Sequence, residues 1–226
     1  MTRTLATLLF STAASAAVML SAGFAAADDF AISAYGGLQS APHSTVDITG
    51  PVDPQSHAAG WEGNSFQSPQ YWGVRGTYWL DSFGYNNFGV SLDYTHAKIY
   101  ADDETLTKFG YSHFEFTDGL NLLTLNGLYR MPLENSRFTP YVGAGVGINV
   151  PHVEVTRASG LTSEYQLGGA TLQAQAGVDF KITDRWSAFA EYKGNYSFVD
   201  VDIDSGSNLK TEIFTNAINV GLTFHF

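Results

Sequence analysis

Residues 217–226 read A-I-N-V-G-L-T-F-H-F, and the pattern of this stretch decides how the rest of the chain is to be folded. Ile218, Val220, Leu222, Phe224 and Phe226 alternate with Asn219, Gly221, Thr223 and His225. A period of two sends successive side chains to opposite faces of a strand, one face here oily and the other small or polar. Such a strand fits either the edge of a soluble sheet or the seam of a barrel in a membrane. The rest of the chain must choose between them.

Seven further stretches alternate in the same way: residues 30–39, 71–80, 88–98, 123–130, 141–150, 170–180 and 186–198. Most of the eight are close to the roughly 9–11 residues that a tilted strand needs to cross a bilayer. The connections between them run long, short, long, short. Residues 40–70, 99–119, 151–166 and 199–208 are long, and residues 81–87, 131–137 and 181–185 are short. Pro42, Pro51 and Pro54 argue against a central strand in the first long connection. A soluble meander has no reason to alternate its connections, whereas a small outer-membrane barrel has short periplasmic turns and long outer loops. The expected fold is all-β: an eight-stranded antiparallel transmembrane β-barrel of outer-membrane type with four long extracellular loops.

A soluble lipocalin-like barrel would also alternate, with an apolar interior and a wet exterior. The charges decide against it. Arg75, Asp93, Arg130, Asp179, Glu191 and Lys193 all fall on the polar face of their strands, and the central spans of the opposite faces carry no charge. An Arg or Lys facing lipid at the midplane costs about 2–4 kcal/mol, which accounts for the segregation. Three cations and three anions facing a narrow lumen can pair and fill it, so the expected interior is a structural ion network and not a diffusion pore.

The chain of 226 residues carries 22 acidic and 11 basic side chains, a net charge of −11. No basic stripe is present to hold nucleic acid. The absence of cysteine rules out disulfides and thiolate metal sites. Residues 1–27 carry Arg3, an apolar Ala/Ser-rich run and the small-residue end Ala25-Ala26-Ala27, the pattern of a secretory signal peptide cleaved after Ala27. The mature domain is then 28–226, exported to the periplasm or the bacterial outer membrane.

The strand order places five of the six histidines at the outer end. His43 and His57 fall in the first long loop, His96 at the end of the third strand, His113 in the second loop and His152 in the third, while His225 lies at the periplasmic end. Glu62, Glu115, Asp118, Glu154 and Glu164 gather at the same rim. Imidazole with carboxylate suits zinc, manganese, iron or a similar divalent ion. Two H-x-E units, His113-Phe-Glu115 and His152-Val-Glu154, each put a nitrogen and an oxygen on one side of an extended segment. Histidines on wet loops also occur with no role beyond the surface. No hydrolase elbow, phosphate-binding loop, H-E-x-x-H or dinucleotide fingerprint is present.

Several stretches carry a family resemblance: A-P-H-S at 41–44, G-W-E-G-N-S-F at 60–66, Y-W-G-V-R-G-T-Y-W at 71–79, F-E-F-T-D-G-L-N-L-L-T-L-N at 114–126, P-Y-V-G-A-G-V-G at 140–147 and P-H-V-E-V at 151–155. Together they resemble the lipid A oxidase family of alphaproteobacterial outer-membrane proteins. P-Y-V-G-A-G-V-G is widespread in small barrels, whereas the rim motifs are more distinctive. The closing strand likewise resembles those of outer-membrane barrels, whose terminal aromatic, here Phe226, serves the barrel-insertion machinery.

The resemblance implies oxidation of the proximal glucosamine of lipid A by O2 to an aminogluconate unit, with hydrogen peroxide released and a divalent metal required. It implies lipopolysaccharide as partner. Residue types at the rim supply the candidates: His43, His113, Glu115, His152 and Glu154 as catalytic groups, and His43, His96, Glu62, Asp118 and His152 as metal ligands. A single site requires His43, His113 and His152 to converge. The alternative is a non-enzymatic barrel of the OmpX or OmpA type with a structural or adhesive role. An acyl-modifying enzyme would need a nucleophile constellation, for which Ser44 beside His43 is too little.

Overall fold

The structure, a computed structural model, describes residues 30–116 and 118–226. The expected signal peptide lies outside the described residues. Eight antiparallel strands form a ring: β1 (Phe30–Ser40), β5 (Trp72–Leu80), β6 (Tyr85–His96), β9 (Leu122–Arg130), β10 (Phe138–Asn149), β13 (Gly169–Lys181), β14 (Trp186–Ile203) and β15 (Ser207–His225). The last strand closes the ring, because β15 pairs with β1 from Ala31↔His225 to Ser40↔Asn216. No barrel edge is left open there, as a lipid environment requires.

Along these strands the outward face is apolar, with Leu92, Leu125, Val146, Leu172, Ile218 and Val220 exposed to what is the bilayer. The inward face is polar and packed. Arg75 donates to Asp93 and to Glu191, each at 2.8 Å, and Lys193 Nζ reaches Asp93 at 2.7 Å. Tyr35 and Tyr141 donate to Asp93 and Glu191 in turn. All four charged side chains are 0–4% exposed, so the network fills the lumen at this level. Buried charges of this kind are tolerated because each has partners. Towards the periplasmic end Arg130 pairs with Asp81, and Asp179 and His225 both meet Ser187. Gly147 stands where a Cβ would collide with the carbonyl of Leu123, so the small residue on the inner face of β10 permits the close strand approach.

The four long connections are not open loops. The first holds β2 (Ser44–Thr49), β3 (Gln55–Ala59) and β4 (Trp61–Glu62), and its Pro51 and Pro54 fall in the turn between β2 and β3. The second holds β7 (Ile99–Ala101), helix α1 (Asp103–Phe109) and β8 (His113–Phe116). Asp102 caps α1 by accepting from the Thr105 amide, and Gly110 ends it in the left-handed region. The third holds β11 (His152–Arg157) and β12 (Gly160–Tyr165), and the fourth is the continuation of β14 and β15 themselves.

These pieces assemble as an upper storey. β2 pairs with the top of β15 and with β3, while β4, β7, β8, β11 and β12 form a second sheet. The two sheets meet where Gln166 exchanges hydrogen bonds with the backbone of Asp202. Between them lies a hydrophobic core that includes Val46, Ile48, Trp61, Ile99, Phe114, Phe116, Val153, Val155, Val201, Leu209 and Ile213. Burying each large side chain of this kind is worth about 1.5–3 kcal/mol, which explains why these long connections are ordered. The Arg157–Asp204 ion pair, at 3.0 Å and nearly fully buried, ties the third outer connection to the fourth.

Candidate functional site

Local alternation in the second sheet decides what it presents outward. In β8 and β11, Phe114, Phe116, Val153 and Val155 go to the core, so His113, Glu115, His152 and Glu154 go to the other side. Strand pairing then builds a row across the sheet: Glu62 opposite Tyr100, Tyr100 opposite Glu115, Glu115 opposite Glu154. His113 Nε2 lies 2.9 Å from Glu115 Oε1 and 3.9 Å from Glu154 Oε2. One ligand atom from each of these three residues lies within 4.8 Å of the others, and no other group of three such side chains does so among the described residues.

His152 begins β11 two residues before Glu154. Its Nδ1 is 3.9 Å from Asp118 Oδ2, and its ring packs on Tyr165 with centroids 4.6 Å apart. Lys98, fully buried, runs beneath this face: its Nζ donates to the Gln67 carbonyl at 2.9 Å and lies 4.8 Å from the centre of the Tyr100 ring.

The electrostatics follow from burial. Glu115 holds its proton above the ordinary carboxylate range because it is desolvated and faces Glu154, with His113 pulling in the opposite sense. Burial lowers Lys98, against the pull of Glu115 and Asp118. Tyr100 is pushed up to about 12 by burial and by the nearby carboxylates of Glu115, Asp118 and Glu154. Two carboxylates directly opposite one another destabilise a sheet unless a proton or a cation lies between them. A nitrogen and two oxygens at this spacing therefore fit a divalent ion of the manganese, iron or zinc type.

The face lies on the side of the second sheet opposite the apolar core, in the outer storey above β6 and β10. Immediately below, Trp72 and Tyr94 pack with ring centroids 5.4 Å apart, and the Tyr94 hydroxyl donates to Asn121. Paired aromatics at this level mark the membrane boundary of a barrel.

The other expected residues lie elsewhere. His43 does not join the group: it lines a groove between β2 and the β14–β15 hairpin and approaches Asp102 at Gly60. Three residues on from β1, it is carried to the groove beside the β14–β15 hairpin because β2 adds to β15 and not to β8. His96 is held inside the boundary, stacked on Trp72 and bonded to Asn121. Glu62 reaches the right face, at the end of the row, but it is exposed and accepts from Asn64. The four-histidine site is thus divided, and its compact part is His113, Glu115 and Glu154 flanked by His152 and Asp118. Tyr100, Tyr165 and Lys98 were not among the expected residues. The alternation in I-Y-A at 99–101 was the available signal for Tyr100.

The fold and the position of this face define an outer-membrane β-barrel protein with a plugged lumen and an ordered extracellular storey. Residues 4–226 match the family described as outer membrane protein beta-barrel domain, and the chain belongs to it. That family places it in the bacterial outer membrane. Among solved structures it is similar to Neisserial surface protein A, at 16% identity over 87% of this chain and 97% of that one with a TM-score of 0.50. It is similar also to the outer membrane protein AlkL in lipid bilayers, at 13% identity over 88% and 90% of the two chains with a TM-score of 0.51. Likeness at this identity concerns the fold alone. No curated protein matches the chain.

Proposed function

We propose that this barrel is an oxidase of lipid A, converting the reducing-end glucosamine to an aminogluconate unit with O2. The observation that carries the reading is the His113–Glu115–Glu154 group gathered in the outer storey on the face of the second sheet that is turned away from its apolar core. The anomeric carbon loses its hydrogen and its hydroxyl loses a proton, O2 accepts the two electrons and two protons to become hydrogen peroxide, and water opens the lactone to the acid. The sugar gains one oxygen atom.

His113, Glu115 and Glu154 would hold the divalent ion, which when bound supplies the electron path between sugar and O2. His152, whose ring packs on Tyr165 with Asp118 3.9 Å away, would serve as the base that takes the proton from the anomeric hydroxyl. Tyr100 and Glu62, next along the same row, offer hydrogen bonds to sugar hydroxyls. The filled lumen keeps the reaction on the outer side, with no route through the barrel.

Purified full-length protein, loaded with manganese or iron and, as a redox-inert control, with zinc, is incubated in air with lipid A bearing a free reducing-end hydroxyl; the oxidation is expected with the redox-active ions only. Mass spectrometry should show a gain of one oxygen, matched mole for mole by peroxide, and Glu115→Gln should abolish both. Lipid A returned unchanged with every metal removes the oxidase assignment. A second reading, a non-enzymatic barrel of the OmpX or OmpA type, is favoured by the packed upper storey, since a rigid apolar core can serve a structural or adhesive surface without chemistry.

A further inference from the structure

The wall formed by β13, β14 and β15 carries a groove that touches none of His113, Glu115 and Glu154. Its lower part is a slot of about 370 Å³ walled by Leu172, Ala174, Ala176, Tyr192 and Gly194. Its upper part, about 510 Å³, lies between β2 and the β14–β15 hairpin and is lined by His43, Asp47, Phe198, Asp200, Lys210 and Glu212. Tyr196 and Phe214, paired across the hairpin, line both, so the two parts adjoin at this aromatic pair.

The floor of the slot is made of Ala174 and Ala176, with Leu172, Tyr192, Tyr196 and Phe214 standing around it and the Phe214 ring packed over Gly194. That relief leaves room for a hydrocarbon chain against the wall. Tyr196 pairs across the hairpin with Phe214, and the next outward rows are Phe198 with Glu212 and then Asp200 with Lys210. Aromatic gives way to charged within two rows, so the slot lies among the acyl chains of the outer leaflet and the upper part among its head groups.

The chemistry of the upper part discriminates between heads. Three carboxylates, Asp47, Asp200 and Glu212, face one lysine, and Lys210 is already bound to Asp200 at 2.8 Å. A phosphate would meet excess negative charge. Sugar hydroxyls would find acceptors, because a carboxylate that already accepts one hydrogen bond retains further lone pairs. The Tyr196 and Phe198 rings, 5.2 Å apart, add apolar faces for the sugar to lie on.

We infer that this groove binds one acyl chain and the hydroxyl-rich sugar head of an outer-leaflet glycolipid, separately from the face proposed to carry out oxidation. The inference does not rest on the oxidase reading.

Native mass spectrometry of the full-length chain released from micelles, after exposure to dephosphorylated lipid A or to phosphatidylglycerol of matched chain length, tests it. One dephosphorylated lipid A should be retained per barrel, and phosphatidylglycerol about tenfold more weakly. Ala174→Phe fills the slot from a position where an apolar ring is at home, and should lower glycolipid retention about tenfold through lost chain contact. Val90→Phe, on the lipid face of β6 outside the groove, controls for bulk alone and should retain the glycolipid fully. Glu212→Gln, which weakens the head contacts but not the slot, should narrow the preference over phosphatidylglycerol. Equal retention by Ala174→Phe and the parent chain overturns the placement, and equal retention of the two lipids overturns the head-group selectivity. Glu115→Gln should leave retention untouched while abolishing oxidation, so the two readings fail independently.

Discussion

The lower and upper halves of the β14–β15 hairpin use one backbone in two opposite ways. In the membrane half, the inward residues Glu191, Lys193, Asn195, Thr215 and Asn219 are polar, and the outward residues Tyr192, Ile218, Val220 and Leu222 are apolar. In the upper half, Val199, Val201, Ile203, Leu209 and Ile213 turn inward, and Asp200, Asp202, Lys210 and Glu212 turn outward. The pairing runs without a shift from Trp186↔Phe224 to Ile203↔Ser207, so no bulge makes the exchange. The solvent outside changes from lipid to water, and the side chains follow. A chain of fixed geometry can thus be an inside-out protein over half its length and an ordinary globular one over the rest.

Mutations that violate one half while respecting the other test that division. The largest effect is expected from Arg75→Met, which leaves Asp93 and Glu191 short of a partner in the filled lumen; breaking such a network costs about 3–5 kcal/mol. The loss should appear as a lowered urea midpoint for the whole barrel in vesicles. Phe116→Ala removes a fully buried ring from the upper core and should cost a comparable about 3–5 kcal/mol. Here the damage should stay local: faster amide exchange and protease cutting in residues 97–121, with heat-modifiable gel migration of the barrel unchanged. Global unfolding by Phe116→Ala would show that the two halves are one cooperative unit.

Next comes a matched pair of outward positions on β15. Ile218→Arg, in the apolar band, should cost about 2–4 kcal/mol, whereas Asn208→Arg, above it, should stay within about 0.5 kcal/mol. Similar costs at the two positions would refute the change of solvent between them. The smallest effect belongs to Glu115. Its proton is held more tightly in the fold than in the unfolded chain, so the stability of the upper storey should fall as pH rises from the ordinary carboxylate value through the raised one. Glu115→Gln should remove that slope, and so should a saturating divalent ion; amide exchange in β8 followed against pH reads both.

The membrane half was legible in the sequence because its two faces differ in charge as well as in oiliness. The positions of Arg75, Asp93, Glu191 and Lys193 announced the lumen. The upper half is harder to recognise as strands, although V-D-V-D-I at 199–203 and L-K-T-E-I at 209–213 alternate just as clearly. Their apolar residues occupy the phase that was polar below, and a phase reversal looks like the end of a strand to anyone assuming one solvent outside.

The compact site was half visible for a related reason. Alternation put His113 with Glu115 and His152 with Glu154, but only the pairing of β8 with β11 brings the two units together. His43 was grouped with them by its position along the chain, and it was the addition of β2 to β15 that carried it away.

The unbroken ladder of that hairpin has a mechanical meaning. From the Phe198–Glu212 pair to the Ile203–Ser207 pair, five further rows at about 3.3 Å each make a stiff post roughly 17 Å long standing clear of the apolar band. Because nothing in its backbone marks the waterline, the depth at which the protein floats is written in side chains alone. Exchanging one aromatic row for a charged one would sink or raise the whole molecule without refolding it.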